Sequence, residues 1–267
     1  MPVSDRGLQY GDGVWETLLV SSGKSILLDE HLERLHWGCR VLKIIGLDET
    51  ILKQEIAFLT QNISHGILKI IITRGSGGRG YSAHGLNKPT RLLTLHKLPE
   101  NIESYRHNGI KIQYCHTQLT HNSLLAGFKH LNRLEQVLAR SELADDCQEG
   151  LVCDIQGNII EGTMSNVFLI LDQQIITPSL EQCGIKGIMR AYIISLLAKE
   201  NIDVIERCVS MQDIENANGI FFTNSVIGLW FVVKFNKRYF EYKKGSFVST
   251  VITDLQKNIK VLEKKSD

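Results

Sequence analysis

The chain has 267 residues, of which 43% are hydrophobic and 22% charged, a composition that is ordinary for a globular protein and excludes disorder for most of its length. Thirty lysines and arginines face 29 acidic residues for a formal charge of +1, so no overall basic field favours nucleic acid or anionic lipid as a partner. The longest apolar stretch, residues 226–233, is far shorter than the roughly 20 residues that span a bilayer, and no membrane helix is predicted.

Strand and helix patterns alternate over the first part of the chain. A strand is predicted at residues 14–20, and Asp29 is predicted to cap a helix that Gly46 ends. Asp48 is predicted to cap a second helix with apolar residues on one face. Three more strands are predicted, at residues 67–73, 91–96 and 110–115.

A domain boundary is predicted where this alternation stops. Residues 99–109 are rich in turn formers and poor in apolar periodicity, which is typical of a linker. We therefore predict a small N-terminal domain over residues 1–105, a linker at residues 106–109 and a larger domain over residues 110–267.

The second domain has more strand than helix. Leucines at helical spacing predict an amphipathic helix through Leu131, Leu134, Leu138 and Leu143. Helices are also predicted at residues 188–199 and 248–262. Short strands are predicted at residues 151–154, 159–160, 167–171, 203–205, 219–222 and 230–235. The sequence therefore predicts an α+β protein made of two α/β-type domains.

A glycine-rich segment, TRGSGGRGYS at residues 73–82, formally contains G-x-G-x-x-G after a strand. Gly85 and Pro89 break any helix after it, and no acid stands at the expected distance, which excludes a dinucleotide site. The Walker A pattern fails because no Lys-[Ser/Thr] pair follows the glycines. The segment is either a solvated hairpin loop or a flexible loop that offers Arg74 and Arg79 to a carboxylate.

Metal and disulfide chemistry have no support in the sequence. His31 and His36 are five residues apart, whereas two zinc ligands on one helix are four apart. The six cysteines include no CxxC pair and are predicted to be reduced, buried thiols. The charged N-terminus lacks the apolar core of a secretory signal, which predicts a cytoplasmic protein.

Three segments of the second half are candidates for chemistry. Lys129 precedes the leucine-striped helix, Glu161 lies between an apolar strand and a Gly-Thr turn, and residues 184–190 open a helix with glycine. A helix start of this kind leaves amides to which an anion can bind. Taken singly, each segment also has a purely structural explanation, because most lysines are solvated and a buried acid needs only a partner.

Together and in this order, these segments resemble the fold-type IV pyridoxal-phosphate enzymes, the family of the branched-chain and D-amino acid aminotransferases and aminodeoxychorismate lyase. The resemblance covers almost the whole chain, in SDRGLQYGDGVWET, EHLERL, GFKHLNRLEQVLAR, IEGTMSNVF, GIKGIMR and FFTNSVIGLWFV. Within the family, TRGSGGRGYS, GFKHLNRLEQVLAR and NSVIGLW look most like the lyases. The resemblance implies a small α/β N-terminal domain, a larger β-rich C-terminal domain and a homodimer.

The resemblance also implies roles for single residues. Lys129 would carry pyridoxal 5′-phosphate covalently and act as general base and acid, and Glu161 would keep the pyridine nitrogen protonated. Arg79 would bind a substrate carboxylate, and Trp15 would form part of the wall of the substrate pocket. Arg34 would hold the phosphate, with a cradle completed by Ile188, Met189, Ser225 and Val226.

Two features depart from the family pattern. Members generally begin with an additional strand before the SDRG segment, where this sequence has only residues 1–3, so that strand is expected to be missing. Trp15 stands where the aminotransferases commonly have tyrosine or phenylalanine.

The resemblance implies a cytoplasmic lyase that converts 4-amino-4-deoxychorismate to 4-aminobenzoate and pyruvate in folate biosynthesis. An aminotransferase with D-alanine or a branched-chain amino acid as donor is an open alternative, and so is a catalytically silent protein that binds pyridoxal phosphate. The expected partners are a small-molecule substrate and a second copy of the chain, with no nucleic acid, membrane or metal.

Overall fold

The computed structural model describes residues 1–77 and 80–264. The helices in this part of the chain are α1 (Arg6–Tyr10), α2 (Leu28–Val41), α3 (Glu49–Thr60), α4 (Ile102–Asn108), α5 (Leu134–Ser141), α6 (Ile188–Lys199), α7 (Met211–Asn216) and α8 (Phe247–Lys264). The strands are β1 (Gly13–Ser21), β2 (Lys24–Ser25), β3 (His65–Thr73), β4 (Thr90–His96), β5 (Ile110–Leu119), β6 (Glu149–Asp154), β7 (Ile159–Gly162), β8 (Asn166–Leu171), β9 (Gln174–Pro178), β10 (Val204–Arg207), β11 (Gly219–Asn224), β12 (Gly228–Phe235) and β13 (Arg238–Tyr239). None of the described helices is long and apolar enough to cross a membrane.

The chain divides into two compact units. The first unit takes the described residues of Met1–Leu98, Phe128–Arg133 and Leu262–Asp267, and the second takes Pro99–Gly127 and Leu134–Val261. The lysine segment, Phe128–Arg133, therefore belongs to the first unit although its sequence neighbours on both sides belong to the second.

The first unit is built on a four-stranded antiparallel sheet in the order β2-β1-β3-β4. β1 pairs with β3 along its whole length, from Gly13 opposite Thr73 to Ser21 opposite His65. One face of β1 is buried at alternate positions, because side chains alternate between the two faces of a strand. The buried positions include Glu16, which is 1% exposed.

The lysine segment adds to the free edge of β1. The Trp15 N–H donates to the Lys129 carbonyl at 2.9 Å, and the Leu131 N–H donates to the Gly13 carbonyl at 3.0 Å. The side chain of Phe128 is fully buried and stacks edge-on against Trp37 of α2, with ring centroids 5.7 Å apart. Backbone pairing and one aromatic anchor thus fix the segment on the first unit.

The second unit is built on a nine-stranded mixed sheet. Eight strands follow the order β10-β9-β8-β11-β12-β5-β6-β7, and β13 pairs with β12. The inner strands are apolar and buried, and Phe168 of β8 stacks on Phe221 of β11 with ring centroids 4.8 Å apart. The antiparallel β8–β11 pair places Asn166 opposite Thr223, so the start of β8 lies beside the end of β11.

The mixed α+β architecture is confirmed, and most of the predicted elements are present. The predicted helix at residues 188–199 coincides with α6. Asp48 is the N-cap of α3, as predicted, and its carboxylate accepts the Ile51 N–H at 3.0 Å. These predictions succeed because the signals are local: an apolar period and a capping side chain.

Several local predictions are wrong. The N-cap of α2 is Leu27, so Asp29 lies inside the first turn, and the helix ends at Val41, before Gly46. The predicted leucine helix is only α5, because Leu131 pairs with β1 and the helix begins at Leu134. The apolar period predicted a helix that also included Leu131, but the backbone of Leu131 is hydrogen-bonded to β1.

Residues 106–109, predicted as a linker, form the last turn of α4 and its C-cap, Gly109. The compact units separate between Leu98 and Pro99, seven residues before the end of the predicted N-terminal domain at residue 105. The predicted domain limits stay a prediction.

Gly38 of α2 tests how closely the lysine segment packs. A Cβ at this position would lie 2.8 Å from the Phe128 ring and 2.8 Å from the Val14 side chain. Glycine to alanine normally stabilises a helix, but here we expect Gly38→Ala to lower the free energy of unfolding by about 1–2 kcal/mol through overpacking.

Urea denaturation measures this difference. The matched control is Gln54→Ala, at an exposed position of α3, which should stay within about 0.5 kcal/mol of the wild type. A Gly38→Ala protein as stable as the wild type would contradict the packing.

Candidate active site

Lys129 lies against the indole ring of Trp15. Its Nζ is 3.8 Å from the ring centroid, and Nζ of Lys69 is 4.9 Å from the same centroid. The indole N–H of Trp15 also donates to the His130 carbonyl at 3.2 Å. An ammonium group over an indole face is attracted by the ring quadrupole, so Trp15 holds both the backbone and the amine of this segment.

His130 is half-buried beside Lys129. Its ring stacks edge-on against Phe128, with centroids 5.6 Å apart. Burial and the charge of Arg133 lower the pKa of His130 to about 4, so the imidazole is neutral at neutral pH. No group of three or more His, Cys, Asp or Glu side chains in the described part of the chain is placed to hold a metal ion.

Arg34 lies on α2 and is bound to a carboxylate that the sequence prediction missed. Its Nε donates to Oε1 of Glu16 at 2.7 Å, and its Nη2 donates to Oε2 at 2.6 Å. His31, which the sequence analysis weighed only as a metal ligand, contacts the same carboxylate through Nδ1 at 2.6 Å. The missed signal was the position of Glu16: it alternates with Val14 and Leu18 on the core-facing side of a strand, where an acid is rare.

Glu161, on β7 of the second unit, is buried and hydrogen-bonded. The Ile185 N–H donates to its Oε2 at 2.9 Å, and Nε2 of Gln136 donates to its Oε1 at 3.4 Å. Gly184, which has φ +85°, would bring a Cβ to within 3.4 Å of this carboxylate. The buried acid therefore has partners, and a glycine backbone passes close to it.

The start of α6 is open. Its N-cap is Gly187, and no side chain of a described residue caps it. A Cβ at Gly187 would collide with Oδ1 of Asn166, whose Nδ2 donates to the Ile185 carbonyl at 2.8 Å. Ile188 and Met189 are the first two residues of the helix, where backbone N–H groups have no intrahelical acceptor and the helix dipole is positive.

Ser225 and Val226 form the turn between β11 and β12. Oδ1 of Asn224 accepts the N–H groups of Val226 at 2.8 Å and Ile227 at 2.9 Å. The Val226 amide therefore already donates within the turn. Asn166 ties this turn to the α6 start, because it lies opposite Thr223 at the end of β11 and touches the N-cap of α6.

Arg106 holds the same turn from α4, inside the stretch predicted as a linker. Its Nε donates to the Ile227 carbonyl at 2.7 Å and its Nη2 to the Val226 carbonyl at 3.4 Å. The carbonyl of Arg106 accepts Nε2 of Gln256 from α8 at 2.6 Å. Nothing in the sequence pattern indicated this arginine, because its partners are backbone atoms far along the chain.

The structure thus gathers the predicted residues into two groups. Lys129, Arg34 and Trp15 lie in the first unit. Those of the second unit are Glu161, Ile188, Met189, Ser225 and Val226. Arg79, predicted to bind a substrate carboxylate, lies outside the described residues.

Comparison with known proteins relates the chain to one family. Residues 13–235 match the model of the family described as amino-transferase class IV. The chain is 33% identical over 231 residues to an aminodeoxychorismate lyase of Vibrio harveyi, covering 86% of this chain and 85% of that one. It superimposes on the crystal structure of a 4-amino-4-deoxychorismate lyase from Pseudomonas aeruginosa with a TM-score of 0.91 and 38% identity, covering 98% and 94% of the two chains. It is 27% identical to a putative branched-chain-amino-acid aminotransferase of Methanocaldococcus jannaschii, over 97% of this chain and 90% of that one.

Trp15→Phe tests the indole hydrogen bond to the lysine segment. Phenylalanine keeps a ring face for Lys129 but has no N–H for the His130 carbonyl. We expect the free energy of unfolding to fall by about 1 kcal/mol. Hydrogen exchange at the amides of residues 128–133 should become faster, because the segment loses one of its attachments to β1.

Mass spectrometry after deuterium labelling measures this exchange. Trp230→Phe is the matched control, because the indole N–H of Trp230 has no hydrogen-bond partner among the described residues and the residue belongs to the second unit. Equal exchange in the two variants would show that the Trp15 hydrogen bond does not hold the segment.

Proposed function

Because the chain belongs to the class IV aminotransferase family, whose members depend on pyridoxal phosphate, we propose that it is a lyase that converts 4-amino-4-deoxychorismate to 4-aminobenzoate and pyruvate, a step of folate biosynthesis. One observation carries this choice over an aminotransferase. The lyases named above are 33% and 38% identical to the chain, whereas the archaeal aminotransferase named above is 27% identical.

The described residues fit the cofactor. The uncapped start of α6, with a glycine where a Cβ would collide with Asn166, offers amides to a phosphate dianion. The buried Glu161 suits a protonated ring nitrogen, which a carboxylate keeps charged. Residues proposed to hold the phosphate are Arg34, Ile188, Met189 and Ser225, with Val226 lining the turn.

Lys129 supplies the amine that carries the cofactor and then moves protons at the substrate. Bound pyridoxal phosphate supplies an electron sink for the negative charge that develops on the substrate carbon. Lys129 takes the proton from the carbon that bears the amino group, as general base. With that proton gone, the substrate ring becomes aromatic and expels enolpyruvate, to which a proton is returned to give pyruvate.

Two further side chains shape this chemistry. Glu161 would keep the ring nitrogen of the bound cofactor protonated, which would keep the electron sink effective. The indole of Trp15 lies against the Lys129 amine, with Nζ 3.8 Å from the ring centroid, and the ring face attracts the ammonium group that forms when the lysine has taken up a proton. Arg79 is our candidate for a substrate carboxylate, since a guanidinium binds carboxylates through two parallel hydrogen bonds.

An aminotransferase is the second candidate function, favoured by the match to the archaeal aminotransferase over nearly the whole chain. It would use the same lysine and the same cofactor. The fate of the nitrogen separates the two: a transaminase transfers it to a 2-oxo acid, whereas the lyase leaves it on the aromatic product and needs no acceptor.

We also propose that the protein is a cytoplasmic homodimer. The exposed face of α5 carries three apolar side chains at helical spacing, Leu134 at 77%, Val137 at 61% and Leu138 at 57% exposure. Neighbouring exposed apolar groups are typical of protein–protein contact sites. The six cysteines are free thiols, which suits a reducing compartment.

The lyase reaction predicts equal amounts of 4-aminobenzoate and pyruvate from enzymatically generated aminodeoxychorismate, with saturating pyridoxal phosphate and no amino acceptor. Lys129→Ala should abolish both products, whereas Lys199→Ala, an exposed lysine at the end of α6, should leave them unchanged. Chromatography of the aromatic product and a coupled pyruvate assay measure the two yields.

Other outcomes identify the alternatives. Turnover that appears only when a 2-oxo acid is added would indicate an aminotransferase. Cofactor binding without turnover under either condition would indicate a silent binding protein. Unchanged yields in Lys129→Ala would rule out the mechanism.

The dimer predicts sedimentation at about twice the monomer mass of 30.2 kDa. The double substitution Leu134→Glu/Leu138→Glu should shift the protein towards monomer, because the two glutamate side chains would lose water in the interface. Tyr239→Glu, at a 69% exposed position of β13, is the control and should sediment like the wild type. A wild type that is monomeric at high concentration would contradict the proposal.

A further inference from the structure

Glu16 is a buried carboxylate to which the proposed mechanism gives no role. Its side chain is 1% exposed, and both of its oxygens bind side chains of α2. The Arg34 guanidinium donates one hydrogen bond to each oxygen, and Nδ1 of His31 contacts Oε2. The three side chains form a cluster inside the first unit, and each is at most 9% exposed.

The cluster is a permanent ion pair. Burial alone would raise the pKa of Glu16, but the charge of Arg34 and the hydrogen bonds from His31 and Arg34 lower it to about 2. Glu16 is therefore ionised throughout the neutral range. Removing two charges from water is costly, and a buried pair of this kind is often no more stable than apolar side chains of the same volume. Stability alone is thus a weak reason for an ion pair at a core-facing position of β1.

The hydrogen-bond pattern fixes the direction of the arginine. Glu16 engages Arg34 through Nε and Nη2, which form one edge of the planar guanidinium group. This two-point contact sets both the position and the plane of the group, so the Nη1 corner must point away from Glu16. An arginine held in this way has lost its rotamer freedom before any ligand arrives, which lowers the entropy cost of binding.

We propose that Glu16 is a positioning residue that holds Arg34 in the orientation in which it binds the phosphate of the cofactor, with His31 anchoring the carboxylate. This inference rests on the proposed function, because Arg34 is the arginine assigned there to the phosphate. Glu16 acts through Arg34 and does not itself contact the ligand.

Two opposing effects make the proposal testable. As an anion, Glu16 offsets part of the positive charge of Arg34, so its neutralisation would by Coulomb's law alone strengthen anion binding. As a clamp, it preorganises the guanidinium, so its loss would weaken binding. We expect the loss of orientation to weaken phosphate binding by more than the loss of the negative charge strengthens it.

The experiment compares pyridoxamine 5′-phosphate with pyridoxamine, which differ only in the phosphate and do not react with Lys129. Calorimetric titration of the cofactor-free protein gives both dissociation constants, and their ratio isolates the phosphate. In Glu16→Gln we expect this ratio to fall about three- to tenfold, the cost of immobilising one long side chain, with pyridoxamine affinity unchanged.

A double-mutant cycle separates positioning from a merely structural role. Arg34→Lys keeps the charge but loses the two-point contact. If Glu16 acts through Arg34, adding Glu16→Gln to Arg34→Lys should change the ratio by less than twofold, whereas independent effects would multiply. Additive losses would overturn the proposal.

The matched control is Glu55→Gln. Glu55 accepts the Nε and Nη2 hydrogen bonds of Arg91, both at 2.8 Å, so the pair has the same two-point geometry in the same unit but is partly exposed. Its loss should leave the ratio unchanged. Glu16→Asp, which keeps the charge but shortens the side chain, serves if Glu16→Gln fails to fold, and it should lower the ratio in the same direction.

The titrations distinguish a failure of the proposed function from a failure of the positioning role of Glu16. If the wild type binds pyridoxamine 5′-phosphate no more tightly than pyridoxamine, the phosphate site and the proposed function fail together. If the wild type prefers the phosphate and the Glu16 variants prefer it equally or more strongly, only the positioning role fails.

Discussion

The arrangement of the protein depends on the backbone pairing that holds Lys129 to β1. The carbonyl of Lys129 accepts the Trp15 N–H, so Lys129, although its own segment is irregular, is held by the main chain of a strand. Two residues earlier, the Gly127 N–H donates to the Gly184 carbonyl, and the Gly127 carbonyl accepts the Lys186 N–H. The chain on either side of Phe128 is thus tied by backbone hydrogen bonds, which restricts how far the amine can move. A side chain on a rigid element is positioned more accurately than one on a mobile loop.

Much of the fold could be predicted from the sequence because its signals are local. The α6 helix follows from a helical apolar period after a glycine, and Asp48 of α3 is a capping residue at the expected place. Glu161 was identifiable because an acid between an apolar strand and a Gly-Thr turn needs a buried partner. The Ile185 amide supplies that partner. Lys129 could be chosen among 18 lysines only through its resemblance to a family, since nothing in its immediate sequence marks it.

Other features were beyond the sequence because they depend on distant pairing. The leucines of α5 have the period of a core-facing helix, yet Leu134 and Leu138 are exposed, and periodicity does not tell a core from an exposed apolar face. Leu131 is not part of the helix, because its N–H donates to the Gly13 carbonyl at the edge of β1. Glu16 was a missed signal of another kind. An acid at a core-facing strand position conflicts with the local pattern, and such conflicts are expected where a side chain serves function.

In the second unit, a short piece of backbone joins the binding partner of Glu161 to the start of α6. The Ile185 N–H bonds the carboxylate of Glu161, and the open start of α6 at Ile188 follows three residues later. Three extended residues span at most about 10 Å, so the backbone that binds the Glu161 carboxylate and the amides at the start of α6 belong to one short continuous segment. Gly184 and Gly187 permit this course, because a Cβ at Gly184 would collide with the side chains of Ile160 and Leu180, and a Cβ at Gly187 would collide with Asn166. A side chain added at either glycine would therefore alter the spacing between the Glu161 carboxylate and the amides at the start of α6, even though neither glycine has a functional group of its own.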